Sequence, residues 1–271
     1  MAIRALFFDL DDTLAVDEAV SHETFAHVAA VASSRFGAEP ARFATDAMAI
    51  ARELWGEGEC RPFCRSIGIS AFECLWGGFT GETPELTALR NWAQAYRVEV
   101  FAKALAAQGG EHPSEAAGML SCEFASTRRA RQRLLPGARE LITALSADYS
   151  VALLTNGAPD LQREKIAATG LGSFFKAIAV SGEHGIGKPK PEIFHRLLSE
   201  LGVSPEEVIM VGNSLERDIA GARNAGLRSI WIRVPGSEEH AEVAPDHTVT
   251  ALSEIPAILA DLQATVRNTE K

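Results

Sequence analysis

The stretch Ile3-Arg4-Ala5-Leu6-Phe7-Phe8-Asp9-Leu10-Asp11-Asp12-Thr13-Leu14 decides how the rest of the chain is read. Ile3 to Leu10 is a short, nearly continuous apolar run that ends in carboxylates. A strand buried on both faces of a parallel sheet reads this way, with function carried at its carboxyl end. On an extended strand, residues two apart face the same side, so Asp9 and Asp11 are expected to converge. Two carboxylates that close repel each other beside apolar neighbours unless a cation or a shared proton relieves them. A hard divalent ion with oxygen ligands, Mg2+ above all, is the natural relief. Asp12 and Thr13 suit a turn or a cap. The plain alternative for the whole cluster is a solvated acidic turn.

Working outward, residues 16–135 have a different texture, rich in Ala, Glu, Arg and aromatics. Phe25, Val28, Ala29, Ala32 and Phe36 recur at helical spacing. Gly37, Pro40, Gly77, Gly78, Gly81, Pro84, Gly109, Gly110 and Pro113 punctuate the segment, which predicts an all-helical insert of several helices. After Pro136–Gly137 strands and helices alternate. Helices are expected at Arg139 to Ala147, Leu161 to Ala168, Pro191 to Leu201 and Glu216 to Ala225. Strands are expected at Ser150 to Leu154, Ala177 to Val180, Val208 to Val211 and Ser229 to Ile232. A last helix is expected from Ser253 as N-cap, with Pro256 in its first turn. Such alternation implies right-handed crossovers and a Rossmann-like α/β parallel sheet with helices on both faces. The expected division is a core of 1–15 and 136–271 and a helical insert of 16–135. Ligands of these sheets bind beyond the strands' carboxyl ends. Asp9/Asp11/Asp12/Thr13, Thr155/Asn156 and Asn213/Ser214/Asp218 all fall there.

The bulk numbers narrow the classes. In 271 residues, 46% are hydrophobic and 23% charged, which suits an ordinary packed core. A net charge of -10 argues against nucleic acid and anionic membrane as partners, because both require a clustered positive footprint. No run approaches the ~20 apolar residues of a membrane helix, and the N-terminus turns acidic too soon for a signal peptide. Cys60, Cys64, Cys74 and Cys122 form no C-x-x-C pair. Cys60 and Cys64 could reach one metal from a helix, but buried free thiols are the commoner reading. The chain therefore reads as soluble, reducing and cytoplasmic.

Phe7-Phe8-Asp9-Leu10-Asp11-Asp12-Thr13-Leu14 closely resembles the D-x-D-x-T motif of the haloacid dehalogenase-like hydrolase superfamily. Leu154-Thr155-Asn156-Gly157 resembles its second motif. Gly187-Lys188-Pro189-Lys190-Pro191-Glu192-Ile193-Phe194 resembles the third, and Val211-Gly212-Asn213-Ser214-Leu215-Glu216-Arg217-Asp218-Ile219 the fourth. The insert lies between the first two, where this family places its helical cap. The stretch Leu153 to Glu183 is similar to the N-acylneuraminate-9-phosphatase and pyrimidine-nucleotidase branch. The resemblance implies a phosphatase that acts on a small phosphorylated metabolite through an aspartyl-phosphate, with Asp9 as nucleophile and Asp11 as general acid and base. It implies Mg2+ as cofactor, held by Asp9, the carbonyl of Asp11, Asn213 and Asp218. It also implies that Thr155, through its hydroxyl, and Asn156, through its backbone N–H, meet the phosphoryl oxygens, while Lys188 balances their charge. Lys190 is expected to be a surface charge. Asn213 departs from the pattern, because many relatives carry Asp there. The implied partner is a small phosphorylated metabolite, with no nucleic acid and no membrane; a homodimer is compatible with the sequence.

Other features admit two readings. Arg128, Arg129, Arg131 and Arg133 form either a solvated helix face or a cap arginine cluster that meets a substrate anion. Trp55, Trp76 and Trp92 belong to the insert's core, unless one lines a pocket. Two rival activities are a 2-haloacid dehalogenase using the same aspartate, and a catalytically weak protein that binds a phosphorylated ligand. Asp11 argues against the former, since a leaving halide takes no proton.

Overall fold

The computed structural model describes residues 2–109, 113, 115–234 and 243–269, and Gly110, read above as punctuation, lies outside them. The chain divides into two compact units. One gathers the described residues of 1–16, 133–156 and 164–271, and the other those of 17–132 and 157–163. The expected core of 1–15 and 136–271 included 157–163. That segment instead goes with the helical unit, because Ala158 and Leu161 are buried in the helical unit's hydrophobic cluster.

Among the described residues of the first unit, six parallel strands form one sheet: β1 (Ala5–Phe8), β2 (Ser150–Thr155), β3 (Ala177–Val180), β4 (Val208–Gly212), β5 (Arg228–Ile232) and β6 (His247–Val249). Their spatial order is β3-β2-β1-β4-β5-β6. Every residue of β1 is fully buried, and the alternation of its side chains supplies both faces. Leu6 and Phe8 join a cluster with Ile142 and Leu145 of α7 (Ala138–Asp148) and with Ile255 and Leu259 of α12 (Ile255–Thr269). Ala5 and Phe7 join the opposite cluster with Ile193, Phe194 and Leu197 of α10 (Pro191–Leu201) and Ala222 of α11 (Ala220–Asn224). The chain leaves β1 toward β2 and β3 on one side and returns to β4 on the other. The sheet's order therefore reverses at β1 and β4, and a crevice opens beyond the carboxyl ends of such strands. The crossover helix α8 (Pro159–Thr169) follows β2, and the short α9 (Ser181–His184) follows β3.

Three details depart from the sequence reading. Strand β6 was not anticipated, because His247-Thr248-Val249 carries only one buried apolar side chain. The last helix begins at Ile255 without Ser253 as its cap. Ahead of it, the Glu254 carboxylate accepts from the Thr250 and Ala251 N–H groups at 2.9 and 2.8 Å, bracing the short 3-10 turn Leu252–Glu254 that leads into the helix. The expected helix from Glu216 is split. A wide π turn, Leu215–Ile219, precedes α11, and such turns are frequent at functional sites because they re-aim a side chain.

The second unit is built from α1 (Glu18–Phe36), α2 (Pro40–Glu57), α3 (Arg61–Ile67), α4 (Ala71–Cys74), α5 (Pro84–Ala106) and α6 (Ala116–Ala130). Helix ends follow local chemistry. Glu39 accepts from the Ala41 and Arg42 N–H groups ahead of Pro40, and Thr83 accepts from the Leu86 N–H ahead of Pro84. Gly37, at φ 71, ends α1 in the left-handed conformation that glycine adopts without strain. Phe25, Val28, Ala29 and Ala32 enter the core at their helical spacing, with Phe36 at its margin. Trp76 is buried in that core, while Trp55 and Trp92 are packed at its edge. Cys60, Cys64 and Cys74 are buried free thiols, and Cys122 is exposed. Among the described residues no helix is long and apolar enough to cross a membrane.

The solvated-face reading of the arginine cluster fails at Arg128. Its side chain is 2% exposed, paired with Asp17 and lying 4.8 Å from the centre of the Trp76 ring. Arg129 donates to the Trp76 carbonyl, and Arg131 lies 3.7 Å from Glu23. Truncation at Arg128 strands a carboxylate and removes a cation from a ring face. Asp17 is 21% exposed, so water recovers part of the loss. Arg128→Ala is expected to lower unfolding stability by roughly 2–3 kcal/mol, below the full cost of breaking a buried pair. Urea unfolding followed by tryptophan fluorescence checks it; a loss under about 0.5 kcal/mol, the usual range for a surface change, would mean the pair is dispensable.

Candidate active site

Strand β1 stops at Phe8, and the chain turns at once. The Leu10 carbonyl accepts from the Thr13, Leu14 and Ala15 N–H groups, and Asp12 lies at φ 54 in a left-handed turn conformation that Asp tolerates. Regular strand alternation therefore stops short of Asp11, which is placed by the turn rather than by the pleat. Asp9 meets Lys188 and Asp11 meets Lys165.

Asp9 continues the β1–β4 pairing, its N–H donating to the Val211 carbonyl at 3.0 Å. Its buried carboxylate accepts from the Lys188 ammonium at 2.6 Å. The same ammonium donates to the Leu154 carbonyl at 2.8 Å and lies 2.7 Å from the Asp218 carboxylate. Lys188 is held in turn by a two-point clamp. The Asn156 side-chain amide donates to the Lys188 carbonyl and accepts from the Lys188 N–H, both at 2.9 Å. The carboxyl end of β2 thus aims a lysine brought from the loop ahead of α10. Lys190, two residues on, is exposed.

Asp218 reaches inward from the π turn, where it also accepts from the Ser214 N–H at 2.9 Å. Glycine is required beside it: a Cβ at Gly212 would lie 2.3 Å from its Oδ2. Ser214 caps the turn by accepting from the Arg217 N–H. Asn213, after β4, is anchored through its carbonyl to the Trp231 indole N–H at 2.9 Å. Thr13 stands between the first and fourth motifs, its hydroxyl 3.4 Å from both Asp9 Oδ2 and Asn213 Oδ1 and able to donate to one at a time. Thr155 is fully buried at the end of β2.

The electrostatics follow from burial and count. Burial pushes the Asp218 carboxyl up from the usual range; Lys188 opposes this and the Asp9 charge adds to it. Burial alone would pull Lys188 down, but the Asp218 and Asp9 carboxylates outweigh it and hold it above the usual lysine value. Two carboxylates share one ammonium in a place without bulk water. That excess of negative charge, with the amide oxygen of Asn213 close by, is a donor set of hard oxygens that fits Mg2+. Among the described residues no group of three His, Cys, Asp or Glu side chains is placed to hold a metal. The set here is two carboxylates and an amide.

Two contacts escaped the sequence reading. The Lys165 ammonium, from α8, donates to Asp11 Oδ1 at 2.9 Å and is 4% exposed. The Thr13 hydroxyl, read only as a turn residue, touches two motifs. A lone lysine in a polar helix carries no sign that it is buried, so no sequence signal would have found Lys165.

An aspartate at the carboxyl end of the central strand, backed by a clamped lysine and a second buried aspartate, defines a class of hydrolase. The chain belongs to the haloacid dehalogenase-like hydrolases, whose pattern matches residues 3–226, and is an enzyme of that family. It is 39% identical over 254 residues to the phosphoserine phosphatase of Thermus thermophilus, spanning 93% of this chain and 98% of that one. It is 30% identical over 267 residues to the N-acylneuraminate-9-phosphatase of Rattus norvegicus, spanning 97% and 96%. The magnesium-bound HAD-hydrolase YfnB of Bacillus subtilis shares the fold with a TM-score of 0.66 at 23% identity, over 96% of this chain and 99% of that one.

Proposed function

We propose that this hydrolase is a magnesium-dependent phosphatase that cleaves a small phosphomonoester through an aspartyl-phosphate at Asp9. The observation that carries the reading is Asp9 itself, buried at the crevice end of β1 with Lys188 at 2.6 Å. A carboxylate oxygen of Asp9 attacks phosphorus, the ester P–O bond breaks, and its electron pair leaves on the alcohol oxygen. Asp11 gives that oxygen its proton, then takes one from the water that attacks the aspartyl-phosphate. This releases inorganic phosphate and restores the Asp9 carboxylate. Lys188 neutralises charge spread over the phosphoryl oxygens, with the Thr155 hydroxyl and the Asn156 N–H as further donors. Asp9, the Asp11 carbonyl, Asn213 and Asp218 would hold Mg2+, which supplies Lewis-acid neutralisation of a phosphoryl oxygen.

Phosphoserine and N-acylneuraminate 9-phosphate, named in the two relatives above, are both primary-alkyl phosphates that also carry a carboxylate. A substrate of that class is the reading for this chain. Its free thiols support a reducing, cytoplasmic compartment. Release of phosphate is expected from p-nitrophenyl phosphate with Mg2+. In a panel of carboxylated alkyl phosphates, sugar phosphates, nucleoside monophosphates and a folded phosphoprotein, the highest kcat/KM is expected among the first. Turnover of 2-haloacids without any phosphoester hydrolysis, or preference for the phosphoprotein, would overturn the reading.

A further inference from the structure

Lys165 lies six residues into α8, the helix that follows the Thr155-Asn156-Gly157 turn. Six residues of helix advance the chain about 9 Å, and the helix that follows the Thr155/Asn156 cluster carries this lysine. Its side chain is 4% exposed, and that of its partner Asp11 is 24% exposed. A lysine seldom gives up water to this degree unless a carboxylate receives it. The carboxylate it receives is the group read above as the general acid and base. The Lys165 ammonium donates to Asp11 Oδ1 at 2.9 Å.

We propose that Lys165 is a positioning residue that holds the Asp11 carboxyl in the orientation from which it transfers the proton. A carboxyl group on a turn can rotate about its terminal torsion, which is broad and nearly two-fold. With Oδ1 held as acceptor of the Lys165 ammonium, that rotation is restrained. In the first half-reaction the proton leaves the Asp11 carboxyl for the alcohol oxygen as the P–O bond breaks and the Asp9 O–P bond forms. In the second, the Asp11 carboxylate takes a proton from water as the water oxygen bonds to phosphorus and the Asp9 O–P bond breaks. Lys165 gains and loses nothing in either step. The role depends on Asp11 being the acid, as proposed above.

The test exploits the leaving group. An alkoxide needs a proton from the enzyme, whereas p-nitrophenolate leaves without one. Single-turnover release of the alcohol is measured with enzyme in excess, for an alkyl phosphate and for p-nitrophenyl phosphate. Lys165→Met is expected to slow alkyl alcohol release roughly 10–100-fold, a part of the full general-acid effect. It should leave p-nitrophenol release within about 3-fold, the contribution of a proton that this leaving group does not need. KM should stay near its original value. Asp11→Asn, run beside it, should show the same split more strongly, and adding Lys165→Met to Asp11→Asn should cost little more. Equal losses on both substrates, or no loss on either, would overturn the positioning role. If Asp11→Asn shows no split, the acid assignment falls and takes Lys165 with it. If Asp11→Asn splits and Lys165→Met does not, only the positioning role falls. Should Lys165→Met fail to fold, Lys165→Gln keeps a neutral donor at the site and is judged by the same split.

Discussion

Asp9→Asn is expected to reduce kcat by at least about 10^4-fold, the order of loss seen when a covalent nucleophile is removed. The amide keeps the shape and can still accept from Lys188, so little else changes at the site. Stability should move by less than about 1 kcal/mol, far less than for breaking a buried ion pair outright. Lys188 is shared, lying 2.6 Å from Asp9 and 2.7 Å from Asp218, so removing one carboxylate leaves a one-to-one pair. Asp218 is held above the usual carboxylate range by burial, with Asp9 adding to the effect. A carboxyl raised in the folded state costs stability at pH values above both of its pKa values. Loss of the Asp9 charge lowers Asp218, which favours the variant, and removes one of the two charges that hold Lys188 up, which opposes it, so the variant should stay close to the parent near neutral pH. Multiple turnover by Asp9→Asn, with urea unfolding showing a native protein, would end the covalent mechanism.

The legible parts of this protein are those in which neighbouring residues state their own environment. Ala5 to Phe8 reads as a doubly buried strand because four apolar residues in a row leave no face for water, and all four are buried. The four motifs are legible for the same reason, each being a short local pattern, three of them at strand ends and the third leading into α10. Lys188 could be chosen over Lys190 from its place in the third motif, and the structure buries the first and exposes the second. What escaped is what depends on a distant partner. Lys165 and Asp11 are 154 residues apart, and Arg128 and Asp17 are 111 apart. Each of these cations sits in a polar or mixed helix, where local spacing suggests a solvated face. Only the chain returning from elsewhere buries it. The π turn at Leu215–Ile219 was likewise hidden, because its sequence is ordinary for a helix. The reason for its width is tertiary: Asp218 must reach Lys188 past Gly212, where no Cβ fits.

The second large effect concerns the metal. Asn213 offers an amide oxygen rather than a carboxylate to the proposed Mg2+ site, so the buried anionic groups there are Asp9 and Asp218, partly offset by Lys188. Mg2+ usually takes one or two carboxylates and keeps several waters, so binding should persist at millimolar concentration. Chelation with EDTA should abolish activity, and Mg2+ should restore it. Against the double charge of Mg2+, one added negative charge at ~4 Å amounts to about 8 kcal/mol at an effective dielectric of ~20, most of it cancelled by desolvation. Asn213→Asp should therefore lower the Mg2+ concentration for half-maximal activity by roughly 3–10-fold, and Asp218→Asn should raise it by roughly 10–100-fold. Activity alone could mislead, because Asp218 also holds Lys188. The thermal midpoint supplies the independent readout. Without metal, Asn213→Asp adds a third carboxylate to a cluster with one ammonium, so its Tm should fall below the parent's. Ligand that binds only the folded state stabilises it in proportion to the logarithm of its excess over Kd. Saturating Mg2+ should therefore raise the Tm of Asn213→Asp by more than it raises that of the parent, and that of Asp218→Asn by less. Full activity after chelation, or Tm values that ignore Mg2+ in all three proteins, would remove the metal from this site.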